Sequence, residues 1–320
     1  MKLVFPIVML LPLAPAAMAQ TAYPTKTIRI IVPLVPGGNL DIVARAVAAP
    51  MGEGLGQQIL VENRPGASSL VGTQFVAKSA ADGYTLLAIA NTFATVPSLM
   101  KNPGYDALKD FVGVSLTCLV PQVLVVTPTL PVRTTKELLA LAKARPGQLA
   151  YGTSGAGSTG HIAAELMAMQ GGVKFLHVPY KGNAAAIVDV IAGNVQMMFD
   201  QISAAKPYIE SGRLRALGVT SLKRSPLFPN VQTIDESGLK GYEEITFNGL
   251  IAPAGTPREV LFRLNAEVTR VTRLPELRKR YLERGIELTS SASADEFTAY
   301  IKAEFDKKAK LARDAGIRIE

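Results

Sequence analysis

The chain has 320 residues, of which 48% are hydrophobic, and it carries a formal net charge of +8 with a single cysteine, Cys118. One cysteine excludes an internal disulfide, and two histidines beside it leave little material for a transition-metal site, so we expect no metal. Lysine and arginine are scattered, which argues against a nucleic-acid-binding surface, whereas the mild positive charge is compatible with attracting anions.

The first residues have the order of a secretory signal peptide. Lys2 provides a short positive region, Leu3 to Leu13 is apolar apart from two prolines, and Ala17-Met18-Ala19 offers a cleavage site. A transmembrane helix is the alternative, but it needs about 20 apolar residues, and polar residues arrive from Thr21 onwards. We therefore expect residues 1–19 to be removed and the protein to be exported to the periplasm.

Strand-like and helix-like segments alternate from Thr27 to Ser221. Segments of helical periodicity lie between the apolar runs, and Thr134-Thr135-Lys136-Glu137 has the spacing of a capping box that opens a helix. This order is typical of parallel sheets covered by helices on both faces, so we assign the chain to the α/β class. The predicted strands are 27–32, 58–61, 84–90, 123–127, 148–151, 175–178, 195–199 and 214–219, and the first helices are 40–49 and 70–80.

The rest of the chain changes character, with one more strand at 247–252 followed mainly by helices. Thr256-Pro257-Arg258-Glu259 has the spacing of a second capping box, and a long polar helix is predicted over 293–315. Such a helix usually packs back across an existing lobe, and the chain is long enough to bury two cores. We assign residues 22–122 plus 249–320 to lobe one and residues 123–248 to lobe two.

The first long helix has an unusual continuation. Pro50, Gly52 and Gly54 lie where its helical pattern would continue. An interior proline costs about 3 kcal/mol and each glycine up to about 1 kcal/mol. We predict that this helix is kinked or ends near Ala49.

Two glycine-rich loops, each between a strand and a helix, are the features that bear on function. The first is Pro36-Gly37-Gly38-Asn39, and the second runs from Ser154 to Gly160. A helix start presents unpaired backbone N–H groups and a partial positive charge, and glycines let the backbone approach an anion closely. One such loop would more often be only a tight turn. Two loops, one in each predicted lobe, favour a shared cleft for a carboxylate or phosphate.

The second loop also has the spacing G-x-G-x-x-G through Gly155, Gly157 and Gly160, which raises dinucleotide binding as an alternative. That motif requires an acidic residue at the end of the next strand, about 20 residues on, and the segment from Phe175 to Lys181 has none. Neither loop is followed by the G-K-S or G-K-T of a P-loop. We expect no cofactor.

Further motifs occur in the order of a known protein family. They are Pro36-Gly37-Gly38 with Asp41, the segments 61–67, 81–87, 139–147 and 177–182, Met198-Phe199-Asp200, and the segments 214–217, 223–226 and 252–257. Together they resemble the substrate-binding receptors of tripartite tricarboxylate transporters, also called the Bug family. The matches cover essentially the whole mature chain in order, which makes them far more specific than any single motif.

The resemblance implies a type II periplasmic-binding-protein fold, with two α/β lobes and a two-strand hinge that closes on a small organic carboxylate. It also implies docking to a membrane permease of two subunits. By the same resemblance, the loop after the first strand holds one carboxylate, the second loop supplies the facing donors, and the segment after the Tyr84 strand faces the same cleft. The residues so implied are Pro36, Gly37 and Gly38, then Ser154, Gly155, Gly157, Ser158, Thr159 and His161, and finally Asn91 and Thr92.

Two positions near the expected pocket depart from the family pattern. Val35 replaces one of two prolines that commonly precede the first glycines, and Phe247-Asn248-Gly249 stands where Trp-x-Gly is frequent. The resemblance therefore does not fix which acid is bound.

Several single residues have alternative roles. His161 either caps the second helix at the surface or donates to a carboxylate, while His177 is expected to be a buried, hydrogen-bonded strand residue. Tyr180 and Asp200 end two strands at the same sheet edge. Asp200 would either accept from a ligand hydroxyl, amine or amide, or orient Tyr180 or Lys181. Asp41 is expected to cap or pack the first helix.

The leading hypothesis is ligand capture by two hinged lobes of a monomer, without catalysis. A hydrolase is suggested by Ser158 with His161, but no G-x-S-x-G motif surrounds the serine and no acid is evidently placed to orient the histidine. The third hypothesis is a periplasmic sensor for a membrane kinase. A transcription regulator with this fold would instead need a helix-turn-helix and no signal peptide.

Overall fold

The computed structural model describes residues 23–99, 102–155, 157–180 and 182–314. The predicted signal peptide and Lys181 lie outside the described residues. The strands are Ile28–Val32 (β1), Ile59–Asn63 (β2), Thr85–Ala90 (β3), Phe111–Val126 (β4), Ala150–Thr153 (β5), Leu176–Pro179 (β6), Met197–Gln201 (β7), Arg215–Val219 (β8), Ile245–Pro253 (β9) and Glu287–Leu288 (β10). The helices are Asn39–Leu55 (α1), Leu70–Ala77 (α2), Asn91–Leu99 (α3), Thr135–Ala144 (α4), Thr159–Gly171 (α5), Asn183–Ala192 (α6), Ile202–Glu210 (α7), Arg258–Thr272 (α8), Pro275–Leu282 (α9) and Ala294–Asp314 (α10). Within these described ranges, no helix combines the length and the apolar character needed to cross a bilayer.

The strands form one mixed sheet in the order β2-β1-β3-β9-β4-β7-β5-β6, with β8 and β10 also paired to β4. Two groups are parallel, namely β1 with β2 and β3, and β5 with β6 and β7. Strands β4 and β9 pair antiparallel with each other and join the two groups through β7 and β3. The predicted α/β class is confirmed, although the sheet is not parallel throughout.

Strand β4 is the longest, with 16 residues. One half pairs with β9 as far as the partners Pro121 and Ile245, and the other half pairs with β7 and β8. The sequence predicted a strand only over 123–127, because Gly113 and Pro121 interrupt the apolar pattern and both weaken a strand assignment. Strand β4 therefore connects the two parallel groups, because one half pairs with β9 and the other half pairs with β7.

The buried apolar side chains fall into two sets of clusters that share no residue. One set draws on residues 28–120 and 247–301, and the other on residues 123–242. Strand β4 contributes to both, with Cys118 in the first set and Leu124 in the second. Since full burial of a single aliphatic side chain is worth roughly 1.5–3 kcal/mol, each set forms a substantial core of its own.

The first helix does not end near Ala49. Helix α1 continues through Pro50 to Leu55, and Gly56 closes it in the left-handed conformation with φ of 66°. Met51 and Leu55 are buried in the core, and their burial outweighs the hydrogen bond that Pro50 cannot donate. The prediction of an early end is therefore wrong.

The two predicted capping boxes have different outcomes. At Thr134 the cap is confirmed, because its hydroxyl accepts from the Glu137 N–H at 3.1 Å. At Thr256 the prediction is wrong, because its hydroxyl donates to the carbonyl of Pro253 at 2.8 Å and α8 begins without a side-chain cap.

Candidate functional site

Three helices begin beside strand β9. Three consecutive residues of the strand each form a hydrogen bond with the first residue of one of these helices. The pairs are the hydroxyls of Thr246 and Thr159 in α5 (3.1 Å), the N–H of Phe247 and the side-chain oxygen of Asn91 in α3 (2.8 Å), and the side-chain oxygen of Asn248 and the amide nitrogen of Asn39 in α1 (2.7 Å). Each helix start carries unpaired N–H groups and a partial positive charge. The strand therefore concentrates three weakly positive helix ends.

A cavity of about 210 Å³, which we name the α3–α5 cavity, lies between the starts of α3 and α5. This volume is below the roughly 300–1,000 Å³ of sites for drug-sized ligands, so it suits a small molecule. Its wall combines hydroxyl and amide groups with one ammonium and one carboxylate. The lining residues are Asn91, Thr92, Thr95, Ser154, Gly157, Ser158, Thr159, Ile162, Glu244 and Lys308.

The structure brings together part of the predicted binding set. Asn91, Thr92, Ser154, Gly157, Ser158 and Thr159 line the α3–α5 cavity. Pro36, Gly37, Gly38, Gly155, His161, Tyr180 and Asp200 are not among its lining residues. Contact of either group with a ligand stays a prediction.

The first glycine loop, residues 36–38, is exposed and precedes α1. Gly37 has a left-handed backbone with φ of 84°, which favours glycine. Its N–H donates to Oδ2 of Asp41 at 3.0 Å. Gly38 is the residue before the helix and has extended backbone. A carboxylate therefore fixes the shape of this loop.

Asp41 is buried and holds the first glycine loop through its second oxygen as well. Its Oδ1 accepts from Nε of Arg45 at 3.0 Å and from Nδ2 of Asn63 at 2.9 Å. Burial alone would raise the pKa of Asp41, but hydrogen bonds from Gly37, Arg45 and Asn63 outweigh burial and hold that pKa below its ordinary value. The expectation that Asp41 caps or packs this helix agrees with these contacts.

The second glycine loop, residues 154–158, precedes α5, and its residue 156 lies outside the described part of the chain. Gly155 and Gly157 have φ of 125° and 75°, in the region that favours glycine. The hydroxyl of Ser158 caps the helix by accepting from the His161 N–H at 3.3 Å. The N–H of Gly157 donates to Nδ1 of His161 at 3.0 Å. A neutral imidazole therefore fixes the shape of this loop.

His161 is buried, which excludes a surface capping role. Because Nδ1 accepts a hydrogen bond, the proton of the neutral ring is assigned to Nε2. The ring stacks on His177 with centroids 4.1 Å apart. Burial lowers the pKa of His161 to about 4, and the neighbouring His177 acts in the same direction. His161 is therefore uncharged near neutral pH.

Thr153 and His177 hold the other glycine of the second loop. The Thr153 hydroxyl accepts from the N–H of Gly155 at 3.1 Å and lies 2.7 Å from Nε2 of His177. His177 is hydrogen-bonded as expected but only half-buried, and burial lowers its pKa. The whole support of this loop is thus uncharged near neutral pH.

Tyr180 and Asp200 have hydrogen-bond partners away from the α3–α5 cavity. The Tyr180 hydroxyl donates to Oδ2 of Asp189 at 2.6 Å. Oδ1 of Asp200 accepts from Nδ2 of Asn183 at 2.5 Å and from the Gln201 N–H at 2.8 Å. Burial raises the pKa of Asp200 to about 6. Asp200 therefore does not orient Tyr180, whose hydroxyl is already directed at Asp189.

Sequence reasoning missed Glu244 and Lys308, the two charged residues of the cavity wall. The Lys308 side chain in α10 and the Glu244 side chain just before β9 are only 2% and 1% exposed, and they form an ion pair. One signal was available, because Lys308 recurs at helical spacing with Phe297 and Ile301, which are buried. No local pattern indicates that Glu244 meets it. Among the described residues, no group of three or more histidine, cysteine, aspartate or glutamate side chains is arranged to hold a metal.

The chain is similar to a family of transport receptors along most of its length. The sequence model described as "Tripartite tricarboxylate transporter family receptor" matches residues 43–317. Protein BugT of Bordetella pertussis (strain Tohama I) is 34% identical over 307 residues, which cover 95% of this chain and 94% of that protein. A UPF0065 protein in the tcbD-tcbE intergenic region of Pseudomonas sp. (strain P51) is 38% identical over 291 residues, or 91% and 86% of the two chains.

Solved structures extend the similarity to the fold. R. palustris Rpa4515 with adipate is 36% identical with a TM-score of 0.76, over 92% of this chain and 99% of that chain. Periplasmic binding protein BugD is 34% identical with a TM-score of 0.73, over 93% and 100%. MatC from Rhodopseudomonas palustris with bound malate is 28% identical with a TM-score of 0.71, over 90% and 99%. These matches confirm the predicted periplasmic-binding-protein fold.

Proposed function

Because the chain belongs to the tripartite tricarboxylate transporter receptor family, we propose that it captures a small organic carboxylate in the periplasm for a two-subunit membrane permease. The observation that carries the proposal is that α3 and α5 both begin beside β9 and that their starts line one small polar cavity. An anion is the ligand that helix starts favour. The residues that we assign to contact with it are Asn91, Thr92, Ser154, Gly157, Ser158 and Thr159.

The ligand class we propose is a dicarboxylate. The α3–α5 cavity is small, and the related proteins seen with adipate and with malate support an acid of that size. We further propose that closure of the protein brings the first glycine loop, Pro36, Gly37 and Gly38, against the ligand, so that it covers the bound acid. In this arrangement four residues lie close to the site and support the second loop and the neighbouring strand ends. They are Gly155, His161, Tyr180 and Asp200.

Closure requires two bodies, and the two separate sets of buried clusters support that division. We propose lobe one as residues 22–122 plus 249–320 and lobe two as residues 123–248, with β4 and β9 as the hinge. A ligand that bridges donors on both lobes stabilises the closed arrangement, so a monomer with one ligand per chain is sufficient.

The contacts of Ser158 and His161 support binding without catalysis. A serine nucleophile needs a base that accepts its hydroxyl proton. Here the Ser158 oxygen accepts from a backbone N–H, and Nδ1 of His161 is engaged by Gly157. We therefore propose a receptor and not a hydrolase.

The test is a binding screen of the exported protein with malate, succinate and adipate, and with the neutral diamide of each acid as a matched control. We expect at least one diacid to bind with one site per chain by calorimetry. At a hundredfold excess over its Kd, it should stabilise the fold by about 2.7 kcal/mol in a melting experiment. Absence of any shift with all three diacids, or equal shifts with the diamides, would contradict the proposal.

A further inference from the structure

The ion pair of Lys308 and Glu244 is part of the α3–α5 cavity wall and not only of the protein interior. The Lys308 ammonium contacts both carboxylate oxygens of Glu244, with Oε2 at 2.5 Å. Both side chains are almost fully buried. Lys308 is the one lysine or arginine among the described residues that line this cavity. The Lys308 ammonium is therefore shielded from bulk water, and it faces the cavity beside the starts of α3 and α5.

Glu244 has other partners besides Lys308. Its Oε2 lies 3.7 Å from the ammonium of Lys307, and its Oε1 lies 3.5 Å from Nδ2 of Asn91. Lys308 likewise lies 3.8 Å from Oε2 of Glu304. If Lys308 turned towards another anion, Glu244 would keep a positive charge beside it. The cost of leaving a buried carboxylate unpaired is thus largely avoided.

We propose that Lys308 binds a carboxylate of the ligand, and that Glu244 competes with that carboxylate for the Lys308 ammonium. This inference rests on the proposed function, since it names the residue that provides charge selectivity at the same site. An ammonium has three N–H donors, so Lys308 can contact a ligand oxygen while part of its contact with Glu244 remains. A buried cation is stable only with an anionic or hydrogen-bonded partner, which makes the two carboxylates alternatives for one position.

The arrangement gives a dicarboxylate two different anchors. One acid group meets the start of α5, where Ser158 and Thr159 lie, and the other meets a full positive charge at Lys308. A neutral ligand cannot displace Glu244 from the ammonium. Glu244 therefore keeps the cavity from binding uncharged molecules of similar size.

Three variants test the inference with the dicarboxylate that binds the wild type most tightly. Lys308→Met should weaken binding about tenfold, because the cation is lost. Glu244→Gln should tighten binding about tenfold, because the competitor is lost while an amide of the same shape remains. The double variant should bind as weakly as Lys308→Met. Isothermal calorimetry measures all three, and circular dichroism checks that they fold.

A purely structural ion pair predicts a different pattern. Both single variants would then weaken binding or leave it unchanged, and the double variant would recover wild-type affinity because neither charge is left unpaired. Either result would overturn the inference. The double variant also keeps the test valid if one single variant does not fold, since its affinity alone separates the two outcomes.

The matched control is Lys302→Met, which removes an exposed lysine of the same helix from its ion pair with Asp306. It should leave affinity unchanged, and an equal loss in this variant would also count against the role of Lys308. If the wild type binds no diacid, the proposed function itself fails and the inference with it. If the wild type binds but the two single variants shift affinity in the same direction, only the inference fails.

Discussion

The two glycine loops have the same sequence pattern, a strand followed by glycines and a helix start, but different groups hold them in shape. In the first loop the N–H of Gly37 donates to the carboxylate of Asp41, which is also paired with Arg45. In the second loop the N–H of Gly157 donates to a neutral imidazole, and that of Gly155 donates to a hydroxyl. A charged side chain holds the first loop in shape, whereas uncharged side chains hold the second.

The difference bears on which helix start is available to an anion. Asp41 places a negative charge in the first turn of α1, where it offsets the positive end of that helix. The first turns of α3 and α5 contain no acidic residue. The α3–α5 cavity lies at these two starts and not at the start of α1. A glycine loop before a helix is therefore a weak indicator of anion binding until the acceptor of its N–H groups is known.

Acid should destabilise the second loop at a higher pH than the first, and this is the largest effect we expect. The folded pKa of His161, about 4, lies below the unfolded value of about 6.5. Between these values the unfolded chain binds a proton that the folded chain does not, so this residue costs about 3 kcal/mol of stability as the pH falls from 7 to 4. Asp41, whose folded pKa is depressed, contributes stability that is lost only as the pH falls below about 4.

Urea unfolding at pH 7 and pH 4 measures this effect by comparing the wild type with His161→Asn. The asparagine oxygen can replace Nδ1 as the acceptor for Gly157 but does not titrate. Asp200, with a raised pKa of about 6, has the opposite dependence, since its protonation favours the folded chain as the pH falls. It acts in both proteins, so their difference isolates His161. Identical pH dependence of the two proteins would show that His161 is not held neutral.

Asp41→Ala should separate stability from binding at the first loop. The buried carboxylate accepts from Gly37, Arg45 and Asn63, so we expect a loss of about 2 kcal/mol in urea unfolding. The affinity for the diacid should change less than the stability does, because Asp41 does not line the cavity. The control is Asp295→Ala, an aspartate in the first turn of α10 whose ion pair is exposed and worth about 0.5 kcal/mol or less. Similar losses of stability in both variants would show that the buried hydrogen bonds of Asp41 contribute no more than the exposed ion pair of Asp295.

Ser158→Ala tests whether the start of α5 is special. Its hydroxyl caps α5 as the Thr134 hydroxyl caps α4, so Ser158→Ala and Thr134→Ala should each lose about 1 kcal/mol. Only the change at Ser158 should weaken diacid binding, because only Ser158 lines the cavity. Equal affinities of the two variants in calorimetry would place the ligand elsewhere.

The smallest effect is expected at the contact that attaches α5 to β9. Thr246→Val removes the hydroxyl that donates to Thr159 but preserves the shape of the side chain, so the loss of stability should be about 0.5–1 kcal/mol. Thr73→Val, which removes a buried hydroxyl bonded to the carbonyl of Ser69, is a control of similar cost. Diacid binding should weaken only in the Thr246 variant, and calorimetry on both would show whether β9 positions the site.

The sequence predicted most of the fold because strands and helices follow local periodicity. The strands β1, β3 and β9 and the helix α10 lie within two residues of their expected bounds. The failures are places where distant packing overrides a local preference. Helix α1 passes Pro50 because Met51 and Leu55 reach a core, and β4 runs past Pro121 because β9 pairs with it.

The candidate site was predictable in part. The local pattern indicated the glycine loop before α5, and the family resemblance named Ser158 and Thr159 in it as well as Asn91 and Thr92. The pairing of Glu244 with Lys308 joins residues far apart in the chain, and no spacing indicates it. The acceptors that distinguish the two loops, Asp41 and His161, were noticed in the sequence, but their different consequences depend on burial and on the direction of each hydrogen bond.

Cys118 offers a way to time the motion of the molecule. It is the only cysteine of the chain, it is fully buried on β4, and its thiol donates to Asn248, the residue of β9 that also holds the start of α1. A maleimide dye can reach this sulfur only when the contact of β4 with β9 and α1 loosens. The labelling rate of the unmodified protein therefore measures how often this contact opens, and no engineered probe is needed. A bound diacid should lower the labelling rate in proportion to the occupancy of the site.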